Sequence, residues 1–181
     1  YRELALSLRN ELESGRQVGY LALGDSMTYS TYGYLITALR EIYPQLRHRT
    51  YAGITSFAAI AAHFDWPLGE GKERVLLLPC PEEILDLRAD ILTHDLVVLM
   101  KIGRRLPQVL ALLEELGITE NCVFAQRLGF SEERMSRGLA DLPRDAETGY
   151  LSTLLIRREA HQPRHQLLTR PLGETLSEPT G

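Results

Sequence analysis

Apolar and polar positions fall into blocks along this chain, and the spacing within the blocks changes repeatedly between helical and strand-like. Leu4, Leu8 and Leu12 recur at helical spacing and predict a helix over residues 2–12. Residues 17–23 read as a short apolar strand. Tyr32, Leu35, Ile36 and Leu39 then place one apolar face on a helix that Pro44 stops. Residues 46–51 predict a weaker strand with charges interleaved, and residues 57–64 an alanine-rich helix able to approach a sheet closely. Further along, 74–78 reads as a strand, 82–92 as a helix after Pro81, and 96–100 as a wholly apolar strand of the kind buried in parallel sheets. A helix over 106–116 ended by Gly117, a strand over 121–126 and a last strand over 150–156 complete the series. Strands alternating with helices in this way predict an α/β architecture.

The pattern dissolves from about Gln162, where Pro163, Pro171 and Pro179 stand among polar residues, so 161–181 is expected to be a flexible tail. The chain opens on Tyr1 with its first helix in mid-course, and a segment upstream is therefore expected. A division is expected at 51–53. It gives residues 1–51 as the C-terminal part of a first α/β domain, only partly present, and 52–160 as a second α/β domain, with a cleft between the two.

Composition narrows the function classes. With 44% apolar and 24% charged residues among 181, the chain is ordinary globular material. It contains no run of eighteen apolar residues and does not open on a basic-then-apolar segment, so no membrane association is expected and a cytoplasmic location is. A net charge of −4 without a basic stripe argues against nucleic acid as a partner. Positive charge is local instead, at Arg47 and Arg49, at Lys101, Arg104 and Arg105, and at Arg157 and Arg158. Cys80 and Cys122 lie far apart beside apolar runs and read as buried thiols. His48, His63 and His94 are scattered among elements, and no metal site is expected. Neither a Gly-x-Gly-x-x-Gly fingerprint nor a phosphate loop occurs.

Candidate chemistry concentrates where the first predicted strand gives way to Gly24-Asp25-Ser26-Met27, since α/β sheets place their ligands beyond the carboxyl ends of strands. In one reading the motif resembles the Gly-Asp-Ser-Leu signature of a family of esterases and lipases, with Ser26 as nucleophile. Such a serine needs a histidine base oriented by a carboxylate. The third residue before His161 is Arg158 and that before His165 is Gln162, so neither supplies the expected Asp-x-x-His pair. In another reading the loop cradles a cofactor, with Gly24 letting backbone approach a ligand and Asp25 offering a carboxylate. A plain Gly-Asp turn closing a strand remains open on these residues alone. Tyr29, Tyr32 and Tyr34 crowd the next loop and helix start, where they suit either core packing or a flat hydrophobic ligand.

Taken together, the segments resemble the tetrapyrrole (corrin/porphyrin) methylases. Leu-Ala-Leu-Gly-Asp-Ser-Met-Thr-Tyr-Ser at 21–30 is similar to that family's Gly-Asp-Pro loop, and Gly-Ile-Thr-Ser-Phe at 53–57 to its Pro-Gly-Ile-(Thr/Ser)-Ser segment. Leu-Val-Val-Leu-Met-Lys at 96–101 resembles the strand that follows. Within the family, 27–32, 55–57 and 100–104 resemble the precorrin-2 C-20 methyltransferase branch, and the resemblance covers 1–158.

What the resemblance implies is methyl transfer from S-adenosyl-L-methionine to C-20 of precorrin-2 or cobalt-factor II, in a homodimer of two-domain α/β subunits. It implies a cofactor site of Leu23, Gly24, Asp25 and Thr28, with Thr55 and Ser56 at the amino-acid end. Met100 would lie beside the adenosine, and backbone at Leu128 would hold the adenine or ribose. No catalytic side chain is implied, because direct displacement at an activated methyl needs mainly alignment, which can lower a barrier by about 7–11 kcal/mol. For a polycarboxylate substrate, Tyr29, Arg49, Lys101 and Arg104 are the expected contacts. Ser26 stands where the family usually has proline, as does Ala52 before Gly53. The family's opening strand and Gly-Pro-Gly-Asp-Pro loop have no counterpart in this sequence, which leaves a non-catalytic fragment as a third reading.

Overall fold

The fully apolar run predicted at 96–100 forms the interior of a five-stranded sheet in the computed structural model, which describes residues 1–145 and 147–160. The strands are β1 (Val75–Pro79), β2 (Leu96–Met100), β3 (Cys122–Gln126), β4 (Arg134–Arg137) and β5 (Ser152–Arg157), in the order β1-β2-β5-β3-β4. β1 and β2 run parallel, whereas β5 lies antiparallel between β2 and β3, and β4 is antiparallel to β3. β2 therefore has one parallel and one antiparallel neighbour rather than the purely parallel setting its sequence suggests. Burial on both faces, which the two settings share, is what an unbroken apolar run reports.

Alternate residues of the strands serve two cores. Val97, Leu99, Cys122, Phe124, Leu154 and Ile156 face α4 (Ile84–Thr93) and α5 (Leu106–Glu115). Leu96, Val98, Val123, Ala125 and Leu155 face α3 (Ser56–His63), from which Ile60 and Ala61 pack down. The helix boundaries follow from local chemistry. Thr55 caps α3 by accepting the Ala58 N–H, and Pro107 occupies the first turn of α5. After α5, Gly117 takes φ +67° and the Ile118 N–H returns to the Leu113 carbonyl, closing the helix end. Arg157, only 3% exposed, is neutralised by Glu73 at 2.9 Å and hydrogen-bonds the Pro67 carbonyl at 2.6 Å. Cys80 and Cys122 are free and buried, and burial pushes both thiols up in pKa.

Ahead of this unit, α1 (Arg2–Glu13) and α2 (Tyr32–Ile42) pair around Ala5, Leu35 and Leu39, flanked by Leu8 and Leu12. α2 stops at Tyr43, which leaves the helical region (φ −141°, ψ 71°) ahead of Pro44.

Two predicted strands are corrected. Residues 17–23 and 46–51 form no strand, and within the first Leu21 is 94% exposed and Leu23 73%. A strand exists by pairing its backbone groups, and among the described residues none of these segments has a strand beside it. Conversely, β4 has no apolar alternation to announce it. Its Arg-Met-Ser-Arg sequence is that of an edge strand, exposed and charged at both ends. The expected tail over 161–181 lies outside the described residues. Among the described residues no helix is long and apolar enough to cross a membrane.

Candidate functional site

The loop at 24–28 is organised by its aspartate. Asp25 Oδ1 accepts the Met27 N–H and the Thr28 hydroxyl, each at 2.9 Å, while Oδ2 accepts the Gly53 N–H at 3.0 Å. These donors favour the ionised carboxylate and hold its pKa below the ordinary value, the Gly53 N–H most, then the Thr28 hydroxyl and the Met27 N–H. Asp25 thus ties its own loop to the next one, a role read from the geometry rather than from the sequence. Ser26 adds a second tie, its hydroxyl donating to the Tyr51 carbonyl at 3.1 Å.

Where the two loops meet, backbone passes against backbone. A Cβ on Gly53 would fall 2.1 Å from the Gly24 carbonyl oxygen, so only glycine fits there. Gly24 itself takes φ +69°. The sequence motif at 53–57 contains this glycine, but its reason, a contact across 29 residues of chain, is invisible until the loops are brought together.

The second wall is the carboxyl edge of the sheet. Pro79, Met100, Thr153 and Ala125 stand in one row across β1, β2, β5 and β3. Just beyond the row, Lys101 (φ 54°), Arg127 (φ 49°) and Leu151 (φ 52°) all take left-handed backbone, uncommon for residues with side chains. The Arg127 N–H donates to the Leu151 carbonyl, and Gly149 lies so close to Gly103 that a Cβ on Gly149 would fall 1.9 Å from the Gly103 oxygen. On the α3 side of this row, the Ser56 hydroxyl meets the Thr153 hydroxyl at 2.8 Å. Met100, Leu128 and Phe57 pack partly buried against the same core.

Tyr29 joins the two walls. Its hydroxyl donates to the Leu77 carbonyl at 3.4 Å, and the Lys101 ammonium sits 5.7 Å from its ring centroid. Gly24, Asp25, Thr28, Tyr29 and Lys101 are therefore one assembly, and Thr55, Ser56, Met100 and Leu128 border the sheet edge next to it. Leu23 leads into the first loop with its side chain open to solvent. Arg49 stacks on Tyr51 at 4.9 Å, and Arg104 is exposed on the short turn after β2; among the described residues no hydrogen bond or ion pair joins either side chain to the rest of the site. Among the described residues, Arg49, Lys101 and Arg104 have no carboxylate partner. Sequence reasoning missed Thr153; the one available signal was a Ser-Thr pair opening a strand whose centre, Leu154–Ile156, is apolar.

Ser26 has no histidine beside it among the described residues: His48 bonds Arg40, His94 bonds the Asp90 carbonyl, and His63 meets Phe64 edge to face. His161 and His165 lie outside the described residues.

The family model for the tetrapyrrole (corrin/porphyrin) methylases matches residues 1–143, and the chain belongs to that family. Cobalt-precorrin-2 C(20)-methyltransferase of Salmonella typhimurium is 31% identical over 164 residues, 88% of this chain and 66% of the relative. Precorrin-2 C(20)-methyltransferase of a Sinorhizobium species is 27% identical over 86% of this chain and 62% of its own length. The chain thus spans just under two thirds of these curated relatives. Among solved structures, a cobalt precorrin-4 methyltransferase superposes with a TM-score of 0.66 at 18% identity, covering 86% of this chain and 70% of that one. A uroporphyrin-III C-methyltransferase from Thermus thermophilus, complexed with S-adenosylhomocysteine, gives 0.56 at 16% identity over 86% and 72%. The α/β fold expected from the strand–helix alternation is the fold of these enzymes.

Proposed function

We propose that this chain carries the S-adenosyl-L-methionine cleft of an enzyme that methylates C-20 of precorrin-2 or its cobalt-bearing counterpart, cobalt-factor II, during corrin synthesis. The observation that carries the reading is the latch between the two loops, Asp25 to Gly53, set against the row of Met100 and Thr153 at the sheet edge. The residues present suit the cofactor. Glycines at 24 and 53 let the two loops close on each other, and the Ser56 hydroxyl with the first turn of α3 offers donors to a carboxylate. Met100 and Leu128 supply an apolar surface for an aromatic base.

When bound, the cofactor supplies a methyl group activated by a sulfonium. The protein's contribution is orientation: the latched loops fix one wall, the strand end fixes the other, and no side chain need act as nucleophile. Ser26 fits this reading as a loop tie, since its hydroxyl is directed to the Tyr51 carbonyl. Lys101, Arg104 and Arg49, without a carboxylate partner among the described residues, offer positive charge to a polycarboxylate, and Tyr29 offers a flat apolar face under Lys101. A division into units of 1–51 and 52–160 flanking this cleft, a homodimer and a cytoplasmic location belong to the same proposal. Incubation with methyl-13C cofactor and precorrin-2, followed by 13C NMR of the product, tests it. Label at C-20 is the expected result; label at another ring carbon overturns the position assigned, and no incorporation overturns the activity of this chain.

A further inference from the structure

Thr153 is 5% exposed and sits mid-row in the sheet, opposite Met100 on one side and Ala125 on the other. A hydroxyl in that position must find a partner, and among the described residues its partner is the Ser56 hydroxyl at 2.8 Å. Ser56 is the more open member of the pair and stands in the first turn of α3. Either hydroxyl can donate in this pair; with Thr153 as donor, the Ser56 hydrogen is free to point at a ligand, and with Thr153 as acceptor, a Ser56 lone pair is.

We propose that Thr153 is a positioning residue of the cofactor site: its buried hydroxyl fixes the Ser56 hydroxyl, and with it the opening turn of α3, against the strand end that carries Met100. The proposal rests on the S-adenosylmethionine reading and adds to it a residue from the opposite end of the chain. Ser56 and Thr153 are 97 residues apart. Among the described residues their bond is the one side-chain hydrogen bond between the first turn of α3 and β5, beside the apolar packing of Phe57 on the core that holds Leu155. Thr153→Val keeps the strand-favouring branched shape and removes only the hydroxyl. Thr153→Ser keeps the hydroxyl.

The test is calorimetric titration of the full chain with two ligands: S-adenosylhomocysteine, which carries the amino-acid end, and 5′-methylthioadenosine, which lacks it. Thr153→Val should weaken S-adenosylhomocysteine about three- to tenfold, the range expected for one lost hydrogen bond. It should leave methylthioadenosine within about twofold, and Thr153→Ser should restore the wild-type constant. Ser56→Ala tests the same bond from its exposed side, should Thr153→Val fold poorly. The double variant Thr153→Val/Ser56→Ala should bind no more weakly than the worse single variant, because both remove one interaction. Equal weakening of both ligands by Thr153→Val, losses that multiply in the double variant, or unchanged affinity in both single variants would overturn the proposal. A wild type that binds neither ligand overturns the cofactor reading as well, whereas a wild type that binds both, with indifferent variants, overturns this proposal alone.

Discussion

Asp25 is the residue on which the site turns. Its carboxylate is ionised at neutral pH and held so by three donors, so the folded pKa lies below the unfolded one. A depressed carboxylate contributes stability that is present above the unfolded pKa of about 4 and is lost as pH falls through the lower folded value. The latch is therefore intact from neutrality down to the ordinary carboxylate range. Affinity for S-adenosylhomocysteine measured against pH should be flat down to about pH 5 as far as Asp25 is concerned, and fall only in stronger acid. Asp25→Asn should lower it at neutral pH, since an amide offers one acceptor oxygen where the carboxylate offers two. On the substrate side, replacing Lys101 and Arg104 with alanine should raise the dissociation constant of the tetrapyrrole while leaving that of the cofactor nearly unchanged. Parallel losses for both ligands would remove these two residues from the substrate site. Gly24, Asp25, Thr55 and Ser56 drew attention in the sequence because they stand in short motifs similar to the family's loops, although the strands expected before those loops do not form. The sequence could not disclose that Asp25 bonds Gly53, or that Thr153 reaches Ser56, since those links run between distant segments.

At the scale of elements, periodicity identified the five α-helices of the described residues and the four most apolar strands because each buries a face of its own. The errors have a common cause. Residues 17–23 and 46–51 have strand composition without a strand beside them among the described residues, while β4 has a neighbour, β3, without strand composition. Hydrogen exchange separates the two situations. Amides at 18–23 and 46–51 should exchange far faster than those of β2 and β5, which are laddered and buried on both faces. Comparable protection would mean that the two segments are paired. The interior strands should also be the costliest to perturb: Leu154→Ala, at a fully buried position in β5, should destabilise by about 2–5 kcal/mol in denaturant unfolding.

In the whole molecule, the apolar clusters divide along the chain. One is built from α1, α2 and residues up to Leu46, and the two sheet cores are built from Phe57 onward. Among the described residues, Asp25 to Gly53, Tyr29 to Leu77 and the Lys101–Tyr29 contact link the two parts, and these are the same links that shape the proposed cleft. A ligand bound there bridges both parts, so saturating S-adenosylhomocysteine should raise the unfolding free energy by about 2.7 kcal/mol at one hundred times its Kd. The central claim is that the cleft is formed where the Gly24 and Gly53 loops touch. Side-by-side calorimetric titration of the wild type and Gly53→Ala with S-adenosylhomocysteine tests it most directly, because the added methyl meets the Gly24 carbonyl and must part the loops. The account predicts saturable one-to-one binding by the wild type and at least a tenfold loss in a folded Gly53→Ala; equal affinity in the two proteins, or no binding by the wild type, would contradict it.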